Sequence, residues 1–203
     1  MKAAQIIRER IQAMPAGYVF TPANFAGVGT RASIDQALMR LMQAGSIERV
    51  GHGLYVSPKI TRFGLKTMPS PESVAKAIAT MEGATIEVHG AEAARRFGLT
   101  TQVPAQPVFY TTGSSRSIRM GNLIIHFQHV AARKLAIAGR PAGQALVALW
   151  YLGKGVVTSQ TFERIRSKLS YEEFEVLKQA KFSMPAWMLE EFRNFEKKEF
   201  AHA

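Results

Sequence analysis

The sequence predicts an α+β protein made of two domains joined by a linker. Apolar residues recur at helical spacing over most of the first 44 residues, and two short β-prone runs follow them. Three prolines then interrupt the periodic pattern, and beyond residue 107 strand-like runs precede a long helical part. We expect an N-terminal domain at 1–57, a linker at 58–70 and, at 71–203, a mixed domain with a small antiparallel sheet and several helices.

The first 57 residues follow the order of a winged helix-turn-helix domain. A helix over 2–14 is followed by Thr21-Pro22, which is typical of the start of a short helix. Thr30 caps a longer helix that ends at Ala44-Gly45 and carries an apolar stripe on one face. Gly51-His52-Gly53 then separates two β-prone runs and predicts a hairpin, the wing.

In a winged helix-turn-helix domain, the second helix of the motif lies in the DNA major groove. The Gln36 side chain can form two hydrogen bonds to adenine, and Arg31 or Arg40 can reach guanine or a phosphate. The small side chains of Ala32 and Ser33 permit a close approach to the groove. Basic wing residues meet phosphate or the minor groove, and the capped helix start offers backbone N–H groups. The predicted DNA contacts are Thr30, Arg31, Ala32, Ser33, Gln36, Arg40, Arg49 and His52.

The charge balance points to a polyanionic partner. The formal net charge is +11 and the sequence pI is about 10.2. The excess lies in two blocks: residues 1–62 carry eight basic and three acidic side chains, and residues 88–140 carry seven and one. Solubility alone is an alternative reason for such a charge.

The second basic block contains four arginines for which no acidic partner is expected. One interpretation is a surface that meets an acidic protein face or an RNA backbone, and the other is a solvated face. Both interpretations stay open, and under the first the candidate partner-facing surface comprises Arg95, Arg96, Arg116 and Arg119.

Two segments resemble the abortive-infection AbiEi antitoxins of type IV toxin–antitoxin systems. The run from Ile34 to Val56, IDQALMRLMQAGSIERVGHGLYV, resembles their winged-helix domain, and His89 to Pro104, HGAEAARRFGLTTQVP, resembles their C-terminal domain. The resemblance extends to about Gly155, and residues 156–203 match no pattern of the family.

The resemblance implies a DNA-binding autorepressor that binds inverted repeats in its own operator, where two copies can bind as a dimer. It also implies an antitoxin that counters a nucleotidyltransferase-type toxin, with or without direct contact. The alternative is a protein-interaction module that sequesters a partner without sequence-specific DNA binding.

The acid and cysteine inventory argues against an enzyme. Asp35 is the single aspartate, so no Asp-x-Asp pair follows Gly113-Ser114 to hold magnesium, and no phosphate-binding glycine loop occurs. The chain has no cysteine, and neither His126 with His129 nor His89 with Glu92 has a third ligand nearby. We expect no catalytic residues, no cofactor and no metal. With neither a signal peptide nor a membrane span in the sequence, we expect a cytoplasmic location.

Overall fold

The computed structural model describes residues 3–60, 62–64 and 66–202. The protein has an α+β fold, as predicted. Its contacts divide it into two compact units: the first unit comprises residues 1–83 and 117–125, and the second comprises 84–116 and 126–203. No helix in the described part of the chain is both long and apolar enough to cross a membrane.

The first unit begins with the predicted order of helices and hairpin. Its elements are α1 (Ala3–Ala13), β1 (Val19–Phe20), a 3₁₀ helix (Pro22–Phe25), α2 (Arg31–Gln43), β2 (Glu48–Gly51) and β3 (Leu54–Val56). Its core packs the apolar faces of α1 and α2 against Phe20, Phe25 and Ile47. Phe20 meets Phe25 edge to face, with ring centroids 5.8 Å apart.

The sequence did not predict strand β1. This strand has only two residues, too few for a periodic pattern, but both are buried. β1 pairs antiparallel with β3, so that the sheet has the order β1-β3-β2. β1, which follows α1 and precedes the 3₁₀ helix in the sequence, therefore connects the β2–β3 hairpin to the helical core.

The segment predicted as a linker contains a second hairpin. β4 (Lys59–Ile60) pairs antiparallel with β5 (Lys66–Thr67). α3 (Pro71–Glu82) follows and packs against β1, so the contact division places it in the first unit. The predicted boundary at residue 71 differs from this division, because the boundary relied on proline content and not on packing.

A four-stranded sheet and most of the helices follow α3 along the chain. The strands and first helices of this part are β6 (Ile86–Val88), α4 (Gly90–Arg96), β7 (Val108–Thr111), β8 (Arg116–Met120), β9 (Leu123–His129) and α5 (Pro141–Leu152). The remaining helices are α6 (Ser159–Lys168), α7 (Tyr171–Gln179) and α8 (Ala186–His202). The contact division assigns residues 117–125, in β8 and β9, to the first unit.

The four-stranded sheet is mixed, where an antiparallel sheet was expected. Its order is β6-β7-β9-β8, and β7 pairs with β9 in parallel. β8 is the edge strand of the sheet. β9 therefore lies between β8 and β7 and runs in the same direction as β7. The sequence pattern after residue 127 also predicts a helix over 128–138. This prediction is wrong, because β9 continues to His129 and a 3₁₀ turn (Ala132–Leu135) follows.

Helices α4 and α5 of the second unit lie unusually close together. Gly90, the first residue of α4, is buried, and a Cβ added there would lie 2.2 Å from Cβ of Tyr151 in α5. Only glycine permits this approach. Further along, α6 packs against α8, and α5 packs against α7.

Candidate nucleic-acid interface

The start of α2 is fixed by Thr30. Its Oγ1 accepts a hydrogen bond from the Ser33 amide at 3.3 Å, and the Ser33 hydroxyl donates to the Thr30 carbonyl at 2.8 Å. The first bond satisfies an amide that a helix start leaves unpaired. Both hydroxyl side chains are therefore part of the cap, and the Thr30 hydroxyl keeps its own proton to donate.

α2 presents two chemically different faces. Ile34, Ala37, Leu38 and Leu41 are buried against the core of the first unit. On the opposite side the side chains are exposed, whereas Ser33 is half-buried at the edge. The helical spacing of the apolar residues had predicted this division. The predicted contacts that α2 leaves exposed are Arg31, Ala32, Gln36 and Arg40.

The single aspartate of the chain is paired within α2. Arg31 Nε donates to both carboxylate oxygens of Asp35, at 3.1 and 2.9 Å. Both side chains remain largely exposed to water, so this i,i+4 pair contributes little to stability. It does neutralise the negative charge on the face that carries Gln36 and Arg40, which removes an electrostatic obstacle to a polyanion.

The turn of the β2–β3 hairpin holds its two predicted contact residues together. Arg49 Nε donates to the Gly51 carbonyl at 3.1 Å, and its Nη2 donates to His52 Nδ1 at 3.2 Å. The strand register shifts between Arg49 and Gly51, and both contact side chains are exposed. The hairpin therefore presents an exposed guanidinium that two hydrogen bonds hold in place.

The first unit carries a larger share of the net positive charge than its share of the residues. Its sequence contains eleven basic and five acidic side chains. Opposite charges are attracted over about 8 Å at physiological ionic strength. The unit can therefore attract a polyanion before any specific contact forms.

The four arginines of the predicted partner-facing surface do not share one environment. Arg95 donates to both oxygens of Glu92, at 2.7 and 2.8 Å, and Arg96 Nε donates to Glu92 Oε1 at 3.0 Å. The expectation that they lack an acidic neighbour is wrong, because one turn of α4 brings Glu92 beside both. Arg116 lies over the Phe127 ring at 5.4 Å, and Arg119 is exposed and belongs to the first unit.

Arg95 and Arg96 lower the pKa of Glu92. Hydrogen bonding to Arg95, then to Arg96, lowers the pKa of Glu92 from 4.5 to about 2, against the opposing effect of burial. Because the folded pKa lies below the unfolded one, the stabilisation is complete above pH 4.5 and is lost as the pH falls toward 2.

We expect Glu92→Gln to lower the free energy of unfolding by about 1 kcal/mol at neutral pH, a modest value because the ion pairs are partly exposed to water. The difference from the unmodified protein should disappear as the pH falls from 4.5 to about 2. Urea unfolding at a series of pH values measures this. Exposed Glu163→Gln is the matched control, and equal acid sensitivity of both variants would contradict the assignment.

The histidines considered as metal ligands have other contacts. His126 Nε2 bonds the Gln106 side chain, and His129 Nδ1 bonds the Gly113 carbonyl at 2.9 Å. His89 Nδ1 accepts from the Ala91 amide at 3.2 Å, and burial lowers its pKa. Among the described residues, no three His, Asp or Glu side chains are grouped as metal ligands would be.

One buried carboxylate was missed by the sequence reasoning. Glu87 in β6 accepts hydrogen bonds from the amides of Val88 and Gly139, both at 2.9 Å. Its partner Gly139 lies 52 residues away, so no local pattern could have identified it. The bonds tie the segment before α5 to the sheet, which is a structural role.

A family model described as a family of unknown function, DUF6088, matches residues 6–177 of the chain. No match is found among curated proteins.

Proposed function

The chain belongs to the DUF6088 family, a family of unknown function, and we propose that within it this protein is a DNA-binding transcriptional autorepressor that also acts as an antitoxin. In this proposal the first unit is a winged helix-turn-helix module that reads inverted repeats in its own operator in the cytoplasm. The second unit counters a nucleotidyltransferase-type toxin. The protein is neither an enzyme nor dependent on a cofactor.

The observation that carries the DNA-binding part is the exposed polar face of α2. Gln36 and Arg40 lie on it, one helical turn apart, and small Ala32 precedes them. Glutamine bonds adenine and arginine bonds guanine in the major groove through paired hydrogen bonds. The order α1, β1, 3₁₀ helix, α2, β2, β3 supports placing α2 in the groove and the β2–β3 hairpin beside it.

The antitoxin part is supported by the segment resemblance from His89 to Pro104, which spans α4 with its cap residue His89 and the following loop. The side chains of Arg95 and Arg96 are still 42% and 34% exposed despite their pairing with Glu92. An acidic toxin surface is the partner chemistry that such a face fits. Growth rescue by the full chain, co-expressed with the neighbouring gene product, tests this part; failure to rescue would refute it.

A second function, protein sequestration without DNA reading, is favoured by one observation. Met39 and Met42 of α2 are 47% and 37% exposed. Methionine is common on surfaces that adapt to protein partners. If this second function is correct, Met39→Ala should abolish partner binding. The unmodified protein should then show no binding to the DNA upstream of its own coding sequence.

We expect Gln36→Ala to weaken specific DNA binding by about 1–3 kcal/mol, because one base pair loses its paired hydrogen bonds. The loss should be confined to one position when single base pairs of the duplex are exchanged. Mobility shifts on DNA from upstream of the chain's own coding sequence measure it. Gln179→Ala, at an exposed position of the second unit, is the matched control and should change nothing. Equal affinity of the unmodified protein for scrambled DNA would overturn the proposal.

A further inference from the structure

The proposed function leaves the exposed β4–β5 hairpin of the first unit without a role. Lys59 pairs with Thr67 and Ile60 with Lys66 across the two strands. Thr67 Oγ1 donates to the Lys59 carbonyl at 3.0 Å, and Gly64 takes a positive φ of 76° in the turn. The described residues of the stretch predicted as a linker therefore include two paired antiparallel strands.

The tip of this hairpin combines cations with exposed apolar groups. Ile60 is 65% exposed and Phe63 is 74% exposed. The Arg62 guanidinium lies over the Phe63 ring, 4.7 Å from its centroid. Within the described part of the chain, neither Lys59 nor Arg62 forms an ion pair with an acidic side chain. A hairpin tip of this composition suits a partner that offers both negative charge and apolar surface.

The hairpin is also anchored to the predicted DNA-contacting wing. Lys66 Nζ lies 2.8 Å from Glu48 Oε1, and Glu48 is the neighbour of Arg49 in β2. This ion pair uses the acidic group of β2 internally, so it adds no repulsion toward a polyanion. Only Ser57 and Pro58 separate β3 from β4. The two hairpins therefore follow each other directly along the chain.

We propose that the β4–β5 hairpin is a second DNA-contacting element, in which Lys59 and Arg62 bind phosphates and Phe63 packs into the minor groove. This inference rests on the proposed DNA-binding function. Duplex DNA supplies phosphates for the cations and an apolar wall of sugars and base edges for the ring. Apolar side chains flanked by basic ones enter the minor groove in this way and bend the duplex.

The experiment measures binding to a fluorescently labelled duplex from upstream of the chain's own coding sequence, over a range of salt concentrations. Arg62→Ala should reduce the slope of log K against log salt by about 1, because one phosphate contact is lost. Phe63→Ala should leave that slope unchanged, weaken binding on the order of tenfold, and reduce bending measured by energy transfer between the duplex ends.

The chain offers a matched control for each variant. Arg193 is an exposed arginine and Phe182 is an 80% exposed phenylalanine, both in the second unit. Their alanine variants should bind as the unmodified protein does. Thermal melting of all four variants checks that each is folded.

The outcomes separate this inference from the function on which it rests. If Arg62→Ala and Phe63→Ala bind like their controls while Gln36→Ala binds weakly, the hairpin inference is overturned and the proposed function stands. If the hairpin variants bind DNA normally but no longer protect against the co-expressed toxin, the hairpin belongs to a protein interface and the inference is again overturned. If the unmodified chain does not prefer its upstream duplex to a shuffled one, the proposed function fails, and this inference with it.

Discussion

Phe192→Ala is expected to lower the free energy of unfolding of the second unit by about 3–5 kcal/mol, the range for removing a buried phenylalanine from a well-packed core. Phe192 in α8 has no exposed surface. Its ring meets those of Phe162, Phe195 and Phe174 at centroid distances of 5.0, 5.9 and 6.4 Å. Removing the ring leaves a cavity among neighbours that are fixed by one another, so little of the loss can be recovered by relaxation.

Denaturant unfolding of the full chain measures this effect as a lower midpoint at an unchanged slope. Phe182→Ala is the matched control, because Phe182 is 80% exposed and should change stability by less than about 0.5 kcal/mol. Equal destabilisation of the two variants would contradict the core assignment.

The result also bears on residues 156–203, which contribute α6, α7 and α8 to this core. Truncating them to isolate a function would remove the structure that supports it.

Raising monovalent salt from about 50 to 200 mM is expected to weaken DNA binding by about 100-fold, if four cations of the first unit neutralise phosphates. Each neutralised phosphate releases condensed counterions, and the entropy of that release falls as salt rises. Exposed cations suited to this contact lie on α2, on the wing and on the β4–β5 hairpin: Arg40, Arg49, Lys59 and Arg62. Fluorescence anisotropy titrations at several salt concentrations measure the slope.

Two variants distinguish charge contacts from base contacts in the same titration. Arg40→Ala should make the slope shallower by about 1, since it removes one phosphate or base-edge cation. Gln36→Ala should reduce affinity at an unchanged slope, because glutamine carries no charge. An unmodified protein whose affinity does not respond to salt would show that the positive charge serves solubility and not DNA binding.

Local sequence rules predicted α2 well because its boundaries depend on neighbouring residues. Thr30 caps it through a bond to Ser33, and Gly45 after its end takes a positive φ of 69°. The apolar stripe fixed which side is buried. The same rules also predict Ser183 as the cap of α8. This prediction is wrong, because α8 begins at Ala186 and the Ser183 hydroxyl donates to the Ala180 carbonyl within a 3₁₀ turn.

The predicted surface of four arginines shows where such rules stop. Counting charges in residues 88–140 finds a single acid, Glu92. The count does not show that Glu92 pairs with both Arg95 and Arg96. Arg140 similarly pairs with Glu173, 33 residues away, and this carboxylate also accepts the Ala142 amide at 2.8 Å. The charge of a block therefore does not determine how much of it remains available to a partner.

The sequence by itself determined the α+β class, the helix that presents Gln36 and Arg40, and the positive charge of the chain, since each depends on composition or on contacts within a few residues. Only the tertiary structure decided the rest. β1 exists because β3 offers it a partner, α3 joins the first unit because it packs on β1, and β7 runs parallel to β9 because β8 lies outside them. These features are stabilised by hydrogen bonds and burial between residues far apart in the chain, and no local pattern records such contacts.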